Sequence, residues 1–451
     1  MYTLQKPSIS SEIRATLHLG IPLAAAQLGQ SLTALVDTVM MGLLGSQTIA
    51  AGGLGAVTFS ILLLVTSAIV SAVSPLVAEA YGANKNQMVK CVVRQGLWLA
   101  IICGIPISLI IFHGKPLLLF FGQDANTVAI TEEYLQAISW GFLPAIAFAV
   151  LRNFVSGVSQ PRPIMVIVIG GTFLNIAANY ILMFGKLGLP ALGLAGIGWG
   201  STLSFWSMLI AIVIYINSET TLKKYNVFHN FHLVNRQIFG KILHLGLPIG
   251  MLTAVETGLF TVTTFIMGIL GTTTLAAHQI ALQTAATTFT VALGISFATT
   301  VRVGQEVGQK NIKGSRLAGY VGISLGGLFM AIMGILFWLM PERIVSLYLD
   351  INNPANTAVV AQAKSLLKVA AFFQIADGIQ VTAVGALRGL KDTKIPMLIG
   401  IFAYWCIGFT SGYLLGLKLG FGGVGLWWGL ALGLAVASVV LTWRFSAVEV
   451  K

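Results

Sequence analysis

Charge is what this chain has least of. Asp, Glu, Lys and Arg make up 9% of its 451 residues and hydrophobic residues 56%, whereas soluble globular domains carry about 25% charged residues. Thr38 to Ala78 contains no Asp, Glu, Lys, Arg or His, and neither does Leu187 to Ser218. A membrane-crossing helix needs roughly 20 apolar residues, so the first stretch holds two spans with a tight turn between them. The pattern excludes a soluble enzyme. It also excludes a β-barrel, which would show short segments of alternating hydrophobicity. Cysteine is scarce too: Cys91, Cys103 and Cys406 have neither metal nor redox spacing and read as small apolar packers. No GxxxxGK[ST] occurs, so no ATP motor is expected on the chain; no GxSxG and no His/Cys/Glu metal cluster points to a membrane enzyme. An ion gradient or the membrane potential is left as the energy source. The polar start, Met1 to Glu12, lacks the apolar region and cleavage site of a signal peptide.

What is present is a repeat. His18-Leu19-Gly20-Ile21-Pro22 returns as His244-Leu245-Gly246-Leu247-Pro248, Gly42-Leu43-Leu44-Gly45 as Gly268-Ile269-Leu270-Gly271, Ala50-Ala51 as Ala276-Ala277 and Gly82 as Gly308, every pair 226 positions apart. Tandem halves in so apolar a chain mark a two-lobed transporter with its binding site between the lobes. Hydropathy predicts an all-α polytopic membrane protein with twelve spans, over 14–44, 48–79, 95–113, 130–152, 163–185, 190–217, 241–270, 274–303, 316–340, 364–387, 395–417 and 420–443. The loops then sort 20 of the 26 Lys and Arg to one side, Lys6, Arg388 and Lys451 among them. The positive-inside rule makes that side cytoplasmic, with both termini inside. This asymmetry accounts for the net charge of +12 and leaves no basic face for nucleic acid. Six spans per half is an even number, so both lobes insert the same way up, related by a pseudo-two-fold axis along the membrane normal. The expected domains are an N-terminal six-helix lobe, 1–218, a cytoplasmic linker, 219–240, and a C-terminal six-helix lobe, 241–451.

Of the 14 acidic residues, three fall inside spans: Asp37 in the first, Glu256 in the seventh and Asp377 in the tenth. A carboxylate deep in a bilayer costs about 2.5–3.5 kcal/mol even on the mildest scale and marks a functional site by default. The repeat maps Glu256 to Gln30 and Asp37 to Thr263, so the halves carry their acids at non-equivalent positions of one helix face. Acids needed only for folding would more naturally be copied with the fold. Glu256 and Asp377, in one lobe, could share a proton or grip a cation. Asn175 and Asn179, one turn apart, are candidate neighbours of Asp37, although asparagine in a bilayer also serves as interhelical glue. His278, Gln279 and Gln283 read as helix-packing contacts and Glu79 and Glu306 as solvated charges at helix ends. Pro22, Pro106, Pro144, Pro163 and Pro396 are candidate helix bends.

Two six-span halves, Asp37, Glu256, Asp377 and the Asn175/Asn179 pair together resemble the multidrug and toxic compound extrusion (MATE) family, and the acids of the second lobe resemble its NorM branch. The resemblance implies export of organic cations in exchange for Na⁺ or H⁺ through a V-shaped pair of six-helix bundles. It places a second-lobe coupling-cation site at Glu256 and Asp377, where Na⁺ could bind, and a first-lobe cation, proton or substrate site at Asp37, Asn175 and Asn179. The expected protein is a multidrug efflux antiporter of the bacterial inner membrane, not an enzyme, with no cofactor beyond its coupling ion. Its expected partners are cationic amphipathic drugs and membrane lipids, with no nucleic acid, and it is expected to be a monomer. The alternative is a lipid-linked oligosaccharide flippase of the related two-lobed superfamily; such a protein should line its cavity with Arg or Lys, whereas this chain carries acids at mid-depth.

Overall fold

Wherever such a chain crosses lipid it must satisfy its backbone amides internally, and an α-helix does this within one segment. The computed structural model describes residues 8–449, and no strand occurs among them. Lys6, Lys451 and the two chain ends lie outside the described residues. Twelve helices are long and apolar enough to cross a membrane: α1 Ile9–Leu43, α2 Gln47–Gly82, α3 Asn86–Phe112, α4 Ala125–Gly157, α5 Arg162–Phe184, α6 Gly193–Ser218, α7 Arg236–Ile269, α8 Thr272–Gly308, α9 Ile312–Leu339, α10 Pro354–Gly389, α11 Lys394–Lys418 and α12 Gly422–Ala447. These are the twelve predicted spans, most of them extended at one or both ends. A helix does not stop where hydropathy does, so Arg152, Arg302 and Arg388 lie near the ends of α4, α8 and α10 rather than in loops.

The repeat is visible in the backbone. Gly45 and Gly271, which lead into α2 and α8, have φ of +112° and +124°. A Cβ at either would meet nothing within 4 Å, so backbone conformation, not space, requires glycine there. Asn84 and Lys310, which lead into α3 and α9, have φ of +55° and +57°. All four keep the 226-residue spacing. The next such pair, Ser159 and Lys391, is spaced more widely, so the second half has gained residues between α9 and the end of α10.

Packing divides the described chain into two compact units, Met1–Ala24 with Met251–Lys451, and Ala25–Gly250. The divisions fall inside α1 and α7 at equivalent positions of the repeat, 24 and 250, whereas the polar linker begins at 219. The first turns of α1 therefore pack with the second half. A Cβ on Gly20 would lie 3.7 Å from the Ile295 backbone of α8, and one on Gly294 would meet Ala24 at 2.6 Å. The same contact recurs in the other unit, where a Cβ on Gly246 of α7 would meet the Ile69 carbonyl of α2 at 2.3 Å. Gly20 and Gly246 are equivalent, as are Ile295 and Ile69, so small residues let both pairs of backbones approach closely.

The start of α1 carries a clamp that the repeat does not copy. Arg302 donates from Nε and Nη2 to the two carboxylate oxygens of Glu12 at 2.8 and 2.7 Å, and from Nη2 to Glu306 at 2.8 Å. Glu306 also accepts from Asn311 at 2.8 Å. Glu12 and Glu306 are buried. Glu306 is thus not the solvated end charge expected from its place beside a basic loop; its burial is matched by a bidentate-type arginine partner.

The linker is docked. Arg94 of α3 donates to the Asn230 carbonyl at 2.5 Å, Trp98 to that of Phe231 at 2.9 Å and Gln95 to that of Leu233 at 3.2 Å. The Trp98 and Phe231 rings stack at 5.2 Å. Tyr225 packs edge-on against Phe154, and burial pushes its phenol up to about 12. Span α11 is wound irregularly: Phe402–Phe409 and Leu414–Lys418 are π-helical.

Candidate cation sites in the two halves

In the first half, Asp37 closes a ring of four side chains. Asn179 Nδ2 donates to Asp37 Oδ1 at 2.6 Å and to Asn175 Oδ1 at 3.1 Å. Asn175 Nδ2 donates to Ser201 Oγ at 3.0 Å, and Ser201 Oγ donates to Asp37 Oδ2 at 3.3 Å. Every donor chain ends on the carboxylate, which is the arrangement a charged acid accepts. Hydrogen bonds to a charged group are worth about 1.5–3 kcal/mol each, which offsets the cost of the acid in the membrane. Asn175, Asn179 and Ser201 are buried. The amide oxygen of Asn179 has no partner. It sits where a Cβ on Gly200 would be, at 2.0 Å, so glycine at 200 makes room for the ring. One turn from the ring, Thr33 of α1 and Thr172 of α5 hydrogen-bond at 2.8 Å, and Thr172 reaches the Gly29 carbonyl at 3.2 Å. The polar stripes Thr33/Asp37 and Thr172/Asn175/Asn179 thus run side by side.

The structure brings Asp37, Asn175 and Asn179 together, as their sequence positions suggested. Ser201 escaped the sequence reading, and so did Tyr134, which is buried within electrostatic reach of Asp37. The available signal for Ser201 was a polar residue in an otherwise apolar span, a weak mark among many serines.

The second half is built differently. Glu256 on α7 is half-buried and Asp377 on α10 is buried. They lie within electrostatic reach of each other, yet among the described residues no ring of donors surrounds them as one surrounds Asp37. Arg388, three turns along α10 from Asp377, is within electrostatic reach of Glu256, so Glu256 has a cationic neighbour that the loop assignment of Arg388 had not foreseen. Tyr404, fully buried on α11, is within reach of Glu256, Asp377 and Arg388. Among the described residues no group of three or more His, Cys, Asp or Glu side chains is placed to hold a metal ion. His278 is fully buried. Its Nδ1 accepts from Trp427 Nε1 at 3.1 Å, and its Nε2 lies 3.0 Å from Thr264 Oγ1. Trp can only donate, so the ring is held as the Nε2–H tautomer. Gln279 and Gln283, its neighbours on α8, are exposed.

Comparison with known proteins decides the family. One family model, MatE, matches the chain twice, over residues 22–181 and 248–414. The two matches begin 226 positions apart, at the equivalent prolines of the repeat. The chain belongs to the MatE family. It is 44% identical, over 98% of its own length and 96% of the other's, to a probable multidrug resistance protein NorM of Synechocystis sp.. A probable multidrug resistance protein NorM of Synechococcus sp. is 43% identical over 97% of this chain and 94% of its own. The fold matches the crystal structure of the eukaryotic MATE transporter AtDTX14 with a TM-score of 0.85 at 20% identity, over 98% of this chain and 97% of that one. At that identity the likeness shows the architecture, which is the twelve-helix, two-lobed MatE fold expected from the sequence. The MatE chain described here is a multi-pass membrane protein of a transporter family.

Proposed function

We propose that this protein is a multidrug efflux antiporter that exports organic cations in exchange for Na⁺ or H⁺ by alternating access. The observation that carries the proposal is the placing of acids inside membrane helices of both halves, with Asp37 ringed by neutral donors. Relatives named as multidrug resistance proteins support it. Glu256 and Asp377 form the coupling-cation site: loading H⁺ or Na⁺ there neutralises charge, weakens the hold on a cationic drug and so ties one flux to the other. If Na⁺ is the ion, it takes oxygens from the two carboxylates and the rest from neutral groups. Asp37, Asn175 and Asn179 form the first-half site, where the ring releases the carboxylate to a cation. A ligand shifts an equilibrium only by its differential affinity for the two states, so both sites must change accessibility in the cycle.

We place the protein in the bacterial inner membrane after its bacterial relatives, with both termini and the linker cytoplasmic on the strength of the lysine and arginine count. It works as a monomer among lipids, without a cofactor. Along the sequence its repeats are the lobes 1–218 and 241–451 joined by 219–240, whereas its packing units divide at 24 and 250. The deciding experiment is efflux of a fluorescent organic cation from proteoliposomes with a sodium or a proton gradient imposed separately. Stimulation by one gradient is expected; indifference to both would reject the antiporter.

A further inference from the structure

Three hydrogen bonds and two ring contacts close a circuit through four helices of the unit that holds Glu256 and Asp377. Trp427 of α12 donates from Nε1 to His278 Nδ1 of α8 at 3.1 Å. The imidazole therefore carries its hydrogen on Nε2, which lies 3.0 Å from Thr264 Oγ1 of α7. Thr264 gives its own hydrogen to the Phe260 carbonyl at 2.9 Å and so accepts from His278. A neutral imidazole has one donor and one acceptor, and both are used. Every bond in the chain points from α12 towards α7, an alignment in which each strengthens the next. The rings complete the circuit: Phe260 meets Phe373 of α10 edge-on at 6.2 Å, and Phe373 meets Trp427 at 5.4 Å. Trp427, His278 and Phe373 are buried. Phe260 stands one turn after Glu256 on α7 and Phe373 one turn before Asp377 on α10, so each ring shares a helix face with an acid.

The first half builds the same place without such a circuit. His278 is equivalent to Gly52 at the 226-residue spacing. Gly193 and Gly422 open α6 and α12 with φ of +55° and +57° and are 229 positions apart, which makes Trp427 equivalent to Gly198. A Cβ on Gly52 would meet Met41 Sδ at 2.5 Å, and one on Gly198 the Tyr134 carbonyl at 2.9 Å. The bundle itself therefore does not require the hydrogen-bonded pair, which is present in the half that carries two acids.

We propose that His278 and Trp427 are positioning residues for the coupling-cation site: the circuit they close holds α7 against α10 one turn from each acid and so fixes how Glu256 approaches Asp377. This rests on the two acids being that site.

The test uses the full-length protein in proteoliposomes, with labelled ethidium as the probe. Two rates are measured: efflux driven by whichever gradient, sodium or proton, drives the wild type, and exchange of labelled for unlabelled ethidium without a gradient. Exchange needs the drug path but no coupling ion, so a general loss of packing lowers both rates together. His278→Leu should lower gradient-driven efflux about tenfold, the effect of leaving a buried donor unpaired, and leave exchange unchanged. Trp427→Phe keeps a ring on Phe373, loses only the donor and should lower efflux about threefold; it decides the matter where His278→Leu does not fold. His278→Gln, whose amide again offers a donor and an acceptor, should recover most of the loss. Equal falls in efflux and exchange, no fall in either variant, or a His278→Gln as impaired as His278→Leu would overturn the proposal. Glu256→Gln judges the underlying site separately. If it keeps gradient-driven efflux, the coupling-site reading fails; if it loses efflux while His278→Leu and Trp427→Phe keep it, only the positioning role fails.

Discussion

The two halves of this molecule descend from one repeat, yet they hold their acids in opposite ways. Asp37 accepts from Asn179 and Ser201 within a closed ring of four side chains. Glu256 and Asp377 lie within electrostatic reach of one another without such a ring among the described residues, with a phenol in reach of both and an arginine in reach of Glu256. A ringed carboxylate is compensated by neutral dipoles, which stay in place whether or not an ion is present. Two neighbouring carboxylates repel each other, and a shared proton or a cation relieves that repulsion. The first half thus holds one carboxylate among neutral donors and the second a pair of carboxylates, and it is to that pair that the proposed function gives the ion-loading role.

The sharpest way to break this comparison is to neutralise the second-half pair. Glu256→Gln and Asp377→Asn should each lower ion-driven efflux of a fluorescent cation from liposomes by about 100-fold, the worth of a lost charge-assisted interaction of roughly 3 kcal/mol. If both act on one ion, the double variant should be no worse than the worse single one. Full additivity would separate them into two sites.

The clamp at the start of α1 is present in one unit only, and removing it tests whether that asymmetry is structural. Arg302→Met leaves two buried carboxylates, Glu12 and Glu306, without their cation. Breaking a buried pair in this way costs about 3–5 kcal/mol. The melting temperature of the detergent-solubilised protein should fall clearly, and an unchanged melt would show that the clamp does not stabilise the fold.

Smaller effects are expected in the first-half ring. Asp37→Asn should reduce efflux about tenfold, since one charge-assisted hydrogen bond is worth about 1.5 kcal/mol at the low end. Ser201→Ala removes only the 3.3 Å bond and should cost about twofold, near the low end for a weak hydrogen bond. Equal losses in Ser201→Ala and Asp37→Asn would mean that the ring acts as one unit. Last, a cysteine at exposed His229 in the docked linker, with Cys91, Cys103 and Cys406 changed to serine, should resist impermeant thiol reagents added outside cells. Labelling from outside would invert the orientation and with it the assignment of both sites.

Much of this was legible along the chain. Span number and the repeat are local properties: a run of about 20 apolar residues has few other fates, and a buried carboxylate stands out where nearly everything is apolar. Asp37, Asn175 and Asn179 could be paired because a carboxylate and two amides one turn apart stand out in apolar spans and because together they resemble a family's pattern. Ser201 and Tyr404 could not, because spacing within a helix says nothing about which neighbour it meets. Arg388 and Glu306 were misplaced for a related reason: hydropathy marks where the apolar core of a span ends, not where the helix does.

The sequence by itself determined that twelve helices cross the membrane, that they come as two copies of six and that acids are carried at unequal positions within them. Only the tertiary structure decided that the first turns of α1 and α7 pack with the opposite half, at glycines that let backbones touch. It also decided that Asp37 sits in a ring of donors while Glu256 and Asp377 have a buried phenol within reach of both and Glu256 an arginine. The physical reason is one of range. Transfer into lipid acts on each segment separately and leaves its mark in composition, whereas a hydrogen bond or a close helix crossing depends on two segments far apart in the chain, whose meeting is settled by packing.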